Sequence, residues 1–160
     1  TSCRRWSLTA PFSPSVSGAK DPVIVERATE DDFAQICAID ASAGLDRRND
    51  LAAAVAARQC LVAREGEAYR GFAIVNQSFF GQYFIALLVV HPDHRRSGVA
   101  SALIAHTEKI CPADKIFTSV EESNTPMRAL CERLGYRQSG MIENLSDEVE
   151  IIYCKYLQPR

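Results

Sequence analysis

With 160 residues, 47% hydrophobic and 24% charged side chains and a net charge of −2, the chain is one domain's worth of sequence, with enough apolar material to bury a core. That charge balance offers no basic footprint, so no nucleic-acid partner is expected. No apolar run approaches the roughly 18 residues of a membrane span, the longest being residues 84–90, so no membrane partner is expected either. Cys3, Cys37, Cys60, Cys111, Cys131 and Cys154 contain no Cys-x-x-Cys pair, and several sit in apolar segments. This suits reduced core thiols in a cytoplasmic protein better than disulfides or zinc. His91, His94 and His106 form no ligand constellation, so no metal is expected.

Residues 1–20 lack acids, are rich in Ser and Pro and carry Arg4 and Arg5, with no apolar signal-peptide core behind them. The composition touches that of an organelle transit peptide, but the expectation is a disordered tail or extension ahead of one domain at 21–160. Residues 23–28 read as a strand. Thr29 to Asp32 then form a capping-box-like start for an amphipathic helix with Phe33, Ile36 and Cys37 on one face, broken by Gly44. An Ala-rich helix follows at 49–58, with Leu51 and Val55 on one face. Two antiparallel strands at 60–64 and 71–79 flank a polar turn. The apolar run 82–90 predicts a strand buried on both faces and central in its sheet.

Next comes His91-Pro92-Asp93-His94-Arg95-Arg96-Ser97-Gly98-Val99-Ala100, a basic, small-residue turn into a helix. A helix starting near Ser97, with Ser97 as its cap, leaves its first backbone N–H groups unpaired and places partial positive charge there. A pyrophosphate would satisfy both. Gly98 and Ala100 permit close approach to the backbone, while Arg95 and Arg96 add charge and forked donors. An ordinary basic turn that caps a helix has the same residues, so this segment alone leaves both readings open. Val99, Leu103, His106 and Ile110 give the new helix its buried stripe, which closes near Pro112. A strand at 115–120 precedes a second short helix, with Thr125 as N-cap, Pro126 in the first turn and Gly135 just past the end. Strands at 136–143 and 150–157 enclose an acidic loop. There is no internal repeat.

Taken together, the two helix-bearing segments resemble the acyl-CoA-binding core of the GNAT N-acetyltransferase family. Arg95, Gly98 and Ala100 match its Arg/Gln-x-x-Gly-x-Gly/Ala pattern, and Asn124 followed by Leu134-Gly135-Tyr136 matches its second. The resemblance spans residues 23–157. It implies an α/β (α+β) fold: a mixed, mostly antiparallel central sheet flanked by helices and splayed where acetyl-CoA lies as cosubstrate. It further implies that the backbone of Leu88, Val89 and Val90 pairs with the pantetheine arm, and that the amides of Arg96, Ser97, Gly98, Val99, Ala100 and Ser101 hold the pyrophosphate. Asn124 would reach the arm near its acetyl end, although an Asn there is also a common turn residue.

The activity implied is transfer of acetyl from acetyl-CoA to a primary amine, on a small molecule, a peptide N-terminus or a lysine, by direct attack. A backbone N–H such as that of Val90 would polarise the thioester carbonyl. Many relatives carry a Tyr seven residues after the Asn to protonate the thiolate. This chain has Cys131 there. The thiol is either a weak proton donor or a core group packed beside Met127 and Leu134, with Tyr83, Tyr153 or water as substitutes. Neither strand 82–90 nor strand 115–120 contains a carboxylate, so a water chain is the expected base, with Glu121 and Glu122 just beyond. The acids Glu143, Asp147, Glu148 and Glu150 mildly favour a cationic amine partner, although such runs are commonly just solvated. The assembly is expected to be a monomer or homodimer. A non-catalytic acyl-CoA-binding regulatory module is the alternative reading. A nucleotide-binding enzyme fits poorly, since the turn lacks the Gly-Lys-Ser/Thr ending of a P-loop.

Overall fold

A computed structural model describes residues 21–158. The expectation for residues 1–20 lies outside them. The chain begins with Val23–Arg27 (β1), and a single 3-10 turn at Glu30–Asp32 leads into Phe33–Ser42 (α1). That entry is the expected capping box, with the Thr29 N–H donating to the Asp32 carboxylate at 2.8 Å. The second helix, Arg48–Ala56 (α2), starts one residue earlier and stops two earlier than its Ala-rich pattern suggests. Cys60–Glu65 (β2), Ala68–Phe79 (β3) and Gln82–Val90 (β4) form a meander. Val99–Ile110 (α3), Lys115–Glu121 (β5), Thr125–Arg133 (α4), Arg137–Ile142 (β6) and Glu150–Tyr156 (β7) complete the order.

The strands make one sheet in the order β1-β2-β3-β4-β5-β7-β6, antiparallel everywhere except between β4 and β5. On one face, Ile36 and Ile39 of α1 and Leu51, Ala54 and Val55 of α2 pack on Cys60, Val62, Phe72, Ile74 and Val89. On the other face, Val99 and Leu103 of α3 cover Leu61, Ala63 and Ala73. The stripe of α3 runs through Val99, Leu103, Ile104 and Thr107; His106 is half-buried and Ile110 is exposed. This rotates the expected stripe by part of a turn, because the helix end leans toward β5 and packs Ile104 against Ile116, Cys131 and Tyr153.

Strand β4 does occupy the middle of the sheet, but it is not buried on both faces. Ile85 and Val89 are buried, Ala86 is exposed, and Leu87, Leu88 and Val90 are half-buried. The reason is topological. Its pairing with β5 consists of Phe84 opposite Phe117 and Ile85 opposite Thr118, and beyond those two rungs the strands part. The apolar run therefore lines an opening rather than a closed core.

Candidate acetyl-CoA site

The opening begins at a defined vertex. Thr118, 4% exposed in the middle of β5, donates its hydroxyl to the Ile85 carbonyl at 3.1 Å, tying the last paired rung across the fork. One residue further, β4 carries a bulge: Ile74 lies opposite Leu87 and Val75 opposite Ile85, which leaves Ala86 without a partner. A bulge re-aims the side chains beyond it. Leu88 and Val90 consequently join the α3 cluster while Leu87 and Val89 join the α1 cluster. Among the described residues no strand lies against the edge of residues 86–90 that faces away from β3, so its peptide groups suit an extended, amide-bearing chain.

At the far end of this edge lies the basic turn. His91 donates its N–H to the Arg70 carbonyl at 2.9 Å, a 3-10 turn covers Pro92–His94, and the Ser97 hydroxyl donates to the His94 carbonyl. Ser97 thus ties the turn and does not cap the helix. The N-cap of α3 is Gly98, at φ +85°, a conformation open to glycine at no steric cost. Arg96 also has positive φ, at +62°, so residues 96–98 alternate in hand and form a concave nest of N–H groups. The first intrahelical bond, Ala102 N–H to the Gly98 carbonyl at 3.0 Å, leaves the amides of Val99, Ala100 and Ser101 without helical partners. A Cβ placed on Gly98 would meet nothing within 4 Å among the described residues, so that part of the structure leaves the cradle open toward a ligand. Arg95 and Arg96 are exposed beside it and make no ion pair with any described residue. His94, in contact with the Arg70 guanidinium, is held below the ordinary imidazole range, first by burial and then by the charges of Arg70 and His91.

Across the fork stands α4. Its N-cap is Asn124 and not Thr125: the Asn124 side-chain oxygen accepts from the Met127 N–H at 3.3 Å. This uses the carbonyl half of the amide, while its NH2 makes no bond among the described residues and the residue is exposed. The far end of α4 closes as a Schellman motif, with Gly135 at φ +93°, its N–H on the Glu132 carbonyl at 3.1 Å and the Tyr136 N–H on the Cys131 carbonyl at 2.9 Å. That turn drives Tyr136 into the core, where its hydroxyl donates to Glu108, itself paired with Lys155 at 2.7 Å. The Leu-Gly-aromatic pattern is thereby explained as an anchor of α4 on α3 and β7.

Cys131 is 0% exposed, and burial, helped by the Glu132 charge, pushes its thiol up to about 11. It packs in the cluster of Ile104, Ile116, Val120 and Tyr153. Tyr153 is equally buried, and its hydroxyl is engaged by the Arg128 Nε at 3.2 Å and by Glu132 at 3.4 Å. Tyr83 remains half-buried beside this cluster. At the C-terminal end of β5, Glu121 lies opposite Glu150, and the loop between β6 and β7 is fastened there by Glu122 N–H to the Val149 carbonyl at 2.9 Å and by Ser123 to Glu148. Among the described residues no group of His, Cys, Asp and Glu could hold a metal, and no helix is long and apolar enough to cross a membrane. The cavity between α1 and α2 draws none of its lining from the fork; its Asp40 is saturated by the Arg47 N–H at 2.9 Å and guanidinium at 2.6 Å.

The model of the "Acetyltransferase (GNAT) family" matches residues 25–136, from β1 through the end of α4. The chain belongs to the GNAT family. It is 33% identical to a GNAT-family acetyltransferase from Bacillus cereus, whose crystal structure superposes with a TM-score of 0.82 over 86% of this chain and 99% of that one. The fold is shared by yncA from Salmonella typhimurium, solved with its cofactor acetyl-CoA, at 19% identity and a TM-score of 0.69 over 86% and 95% of the two chains. Mouse cysteine-rich protein 2-binding protein is 28% identical over 80 residues, which is 48% of this chain but only 10% of that relative's length. This GNAT chain thus has the fold and family of acetyl-CoA-dependent acyltransferases, and its open nest and unpaired strand edge suit the pyrophosphate and the amide-bearing arm of that cosubstrate.

Two functional elements escaped the sequence reading: the Thr118 bond at the vertex and the bulge at Ala86. A hydroxyl at a buried position of an otherwise alternating strand was the only signal for the first. The second had none, because a bulge is a property of two strands in register.

Proposed function

We propose that this GNAT protein is an N-acetyltransferase that moves the acetyl group of acetyl-CoA to a primary amine by direct attack, without an acyl-enzyme. The observation that carries the reading is the fork of β4 and β5, which opens from the Ile85–Thr118 vertex onto the nest at Arg96 and Gly98. Acetyl-CoA supplies an activated thioester, whose C–S bond is exchanged for a C–N bond as the amine gives up its proton and CoA leaves as the thiol. Arg95, Arg96 and the amides of residues 96–101 hold the pyrophosphate, and the free edge of Leu88, Val89 and Val90 aligns the arm. A backbone N–H of the parted segment of β4 polarises the acyl oxygen. Asn124, whose NH2 is left free by its N-cap bond to Met127, supplies a donor to the arm from the start of α4. Water passes the amine proton to Glu121 or Glu122 at the end of β5. Cys131 serves as packing, because a wholly buried thiol that ionises only near 11 has no path to the departing sulfur; water or Tyr83 supplies that proton.

The test is calorimetric. Acetyl-CoA or CoA at a hundredfold its Kd stabilises by about 2.7 kcal/mol. At roughly 2–4 °C per kcal/mol for a chain of this size, the melting temperature rises by about 5–11 °C. ATP and NAD at equal concentration give no shift. Release of CoA from acetyl-CoA in the presence of amines then separates an enzyme from a non-catalytic binding module, and no CoA-dependent shift refutes both.

A further inference from the structure

We infer that the acceptor is a primary amine carried on a flat apolar group, seated on an aromatic floor of Phe79, Phe84 and Phe117 at the vertex of the fork; this rests on the acetyltransferase reading above. Four rings meet at this place. Phe79 stacks on Phe84 at 5.2 Å and 26°, lies 5.5 Å from Phe117, and meets Phe80 edge-on at 5.0 Å. Phe84 and Phe117 are themselves partners across the parallel strands, one rung before the point where those strands part. The floor is therefore continuous with the acyl site.

The two faces of the fork differ in what covers them. The register of β5 on β7 is unbroken, so Phe117, Ser119 and Glu121 share one face, and Ile116, Thr118 and Val120 the other. The second face is closed by α3 and α4, through Ile104, Cys131 and Met127. On the first face α1 and α2 reach β4 only at Val89 and Leu87, which leaves Phe79, Phe84 and Phe117 half-exposed and Phe80 87% exposed. An amine approaching the vertex must use the open face, since the other is filled by packed side chains. Its nearest surface there is rings. Aromatic side chains left clustered and wet beside a reaction centre match a ligand that offers a ring or similar flat apolar surface. The Glu121 and Glu150 pair stands further along the same face and can attract the ammonium, but the rings select what carries it.

The experiment compares 2-phenylethylamine, the peptide Phe-Ala-Ala and butane-1,4-diamine on the whole chain. Binding is read by saturation-transfer NMR with CoA present, and turnover by CoA release from acetyl-CoA. At least one ring-bearing amine shows transfer to its aromatic protons and a KM about tenfold or more below that of the diamine. Which of the two does so tells whether the ring arrives on a small amine or at a chain N-terminus. Phe117→Ala raises that KM by about tenfold while the CoA-induced melting shift is kept, and Phe80→Ser, on the surface, moves it in the same direction by less. Should Phe117→Ala not fold, Phe80→Ser decides: no change in the ring amine's KM or NMR signal overturns the inference. Equal KM values for diamine and ring amines, with the CoA shift intact, overturn it and leave the acetyltransferase reading standing. A dimer that Phe80→Ser dissolves and ring amines do not disturb assigns the face to a second copy and overturns it too. Loss of the CoA shift in the wild-type chain removes the acetyltransferase reading, and this inference with it.

Discussion

Thr118→Val tests whether the vertex hydroxyl shapes the fork. Valine keeps the branched shape, so the substitution opens no cavity and removes only the 3.1 Å bond from Oγ1 to the Ile85 carbonyl. Both residues are nearly inaccessible, at 4% and 3% exposure, so water cannot replace the donor cheaply. A neutral hydrogen bond contributes about 0.5–1.5 kcal/mol net, and an orphaned buried acceptor costs about 1–3 kcal/mol, which brackets the loss at about 1–2 kcal/mol. For a chain of this length the melting temperature falls by roughly 2–8 °C. Stability alone would not separate a shaping role from mere packing. With only two rungs joining β4 to β5, loosening one lets the strands part further and misplaces the free edge of residues 86–90. The CoA-induced melting shift of Thr118→Val therefore shrinks below the wild-type shift, whereas Thr118→Ser, which keeps the hydroxyl and loses a methyl, destabilises without shrinking it. Differential scanning calorimetry with and without CoA gives both quantities. An undiminished CoA shift in Thr118→Val would refute the argument, whatever its melting temperature.

Three further outcomes are expected. Gly98→Trp fills the open cradle from a φ +85° position and abolishes the CoA-induced shift, whereas Arg95→Ala, one charged donor among several, weakens binding by about 1.5–3 kcal/mol; isothermal titration with CoA checks both. Cys131→Ala costs about 1 kcal/mol of stability as a small core truncation and leaves turnover within a few-fold of wild type; a loss of a hundredfold in a folded protein would make the thiol the proton donor after all. Burial, then the charges of Lys109 and Arg27, hold His106 below its ordinary 6.5, so the native state binds fewer protons than the unfolded chain as pH drops past that value. Stability is full above 6.5 and declines as pH falls through the folded pKa; urea titrations at pH 7.5 and 5.5 show a smaller decline in His106→Gln, and an unchanged decline counts against the assignment.

Much of this protein was legible in its residues because the signals involved are local. The capping box at Thr29 and Asp32, the glycine ending α4 at Gly135, the strand run into a basic small-residue turn, and the order of strands and helices all depend on neighbours within a few positions. Local chemistry also carried the two motifs that place the chain in the GNAT family. Misreadings arose where one polar group had two local uses: Ser97 bonds back to His94, so Gly98 caps α3, and Asn124 precedes Thr125 as the cap of α4. The site's decisive features belong to contacts between different elements of the chain. That β4 and β5 share only two rungs, that Ala86 bulges, that Thr118 reaches Ile85, that Cys131 is sealed in one cluster with Tyr153 while four phenylalanines stay open on the opposite face: each is set by the register between paired strands, of the β3 and β4 hairpin or of β4 and β5 with Thr118 33 residues from Ile85, or by the helix that lands on them. No single strand encodes its partner's register, and the apolar run 82–90 reads the same whether it lines a closed core or an open fork. Only the packed sheet distinguishes them.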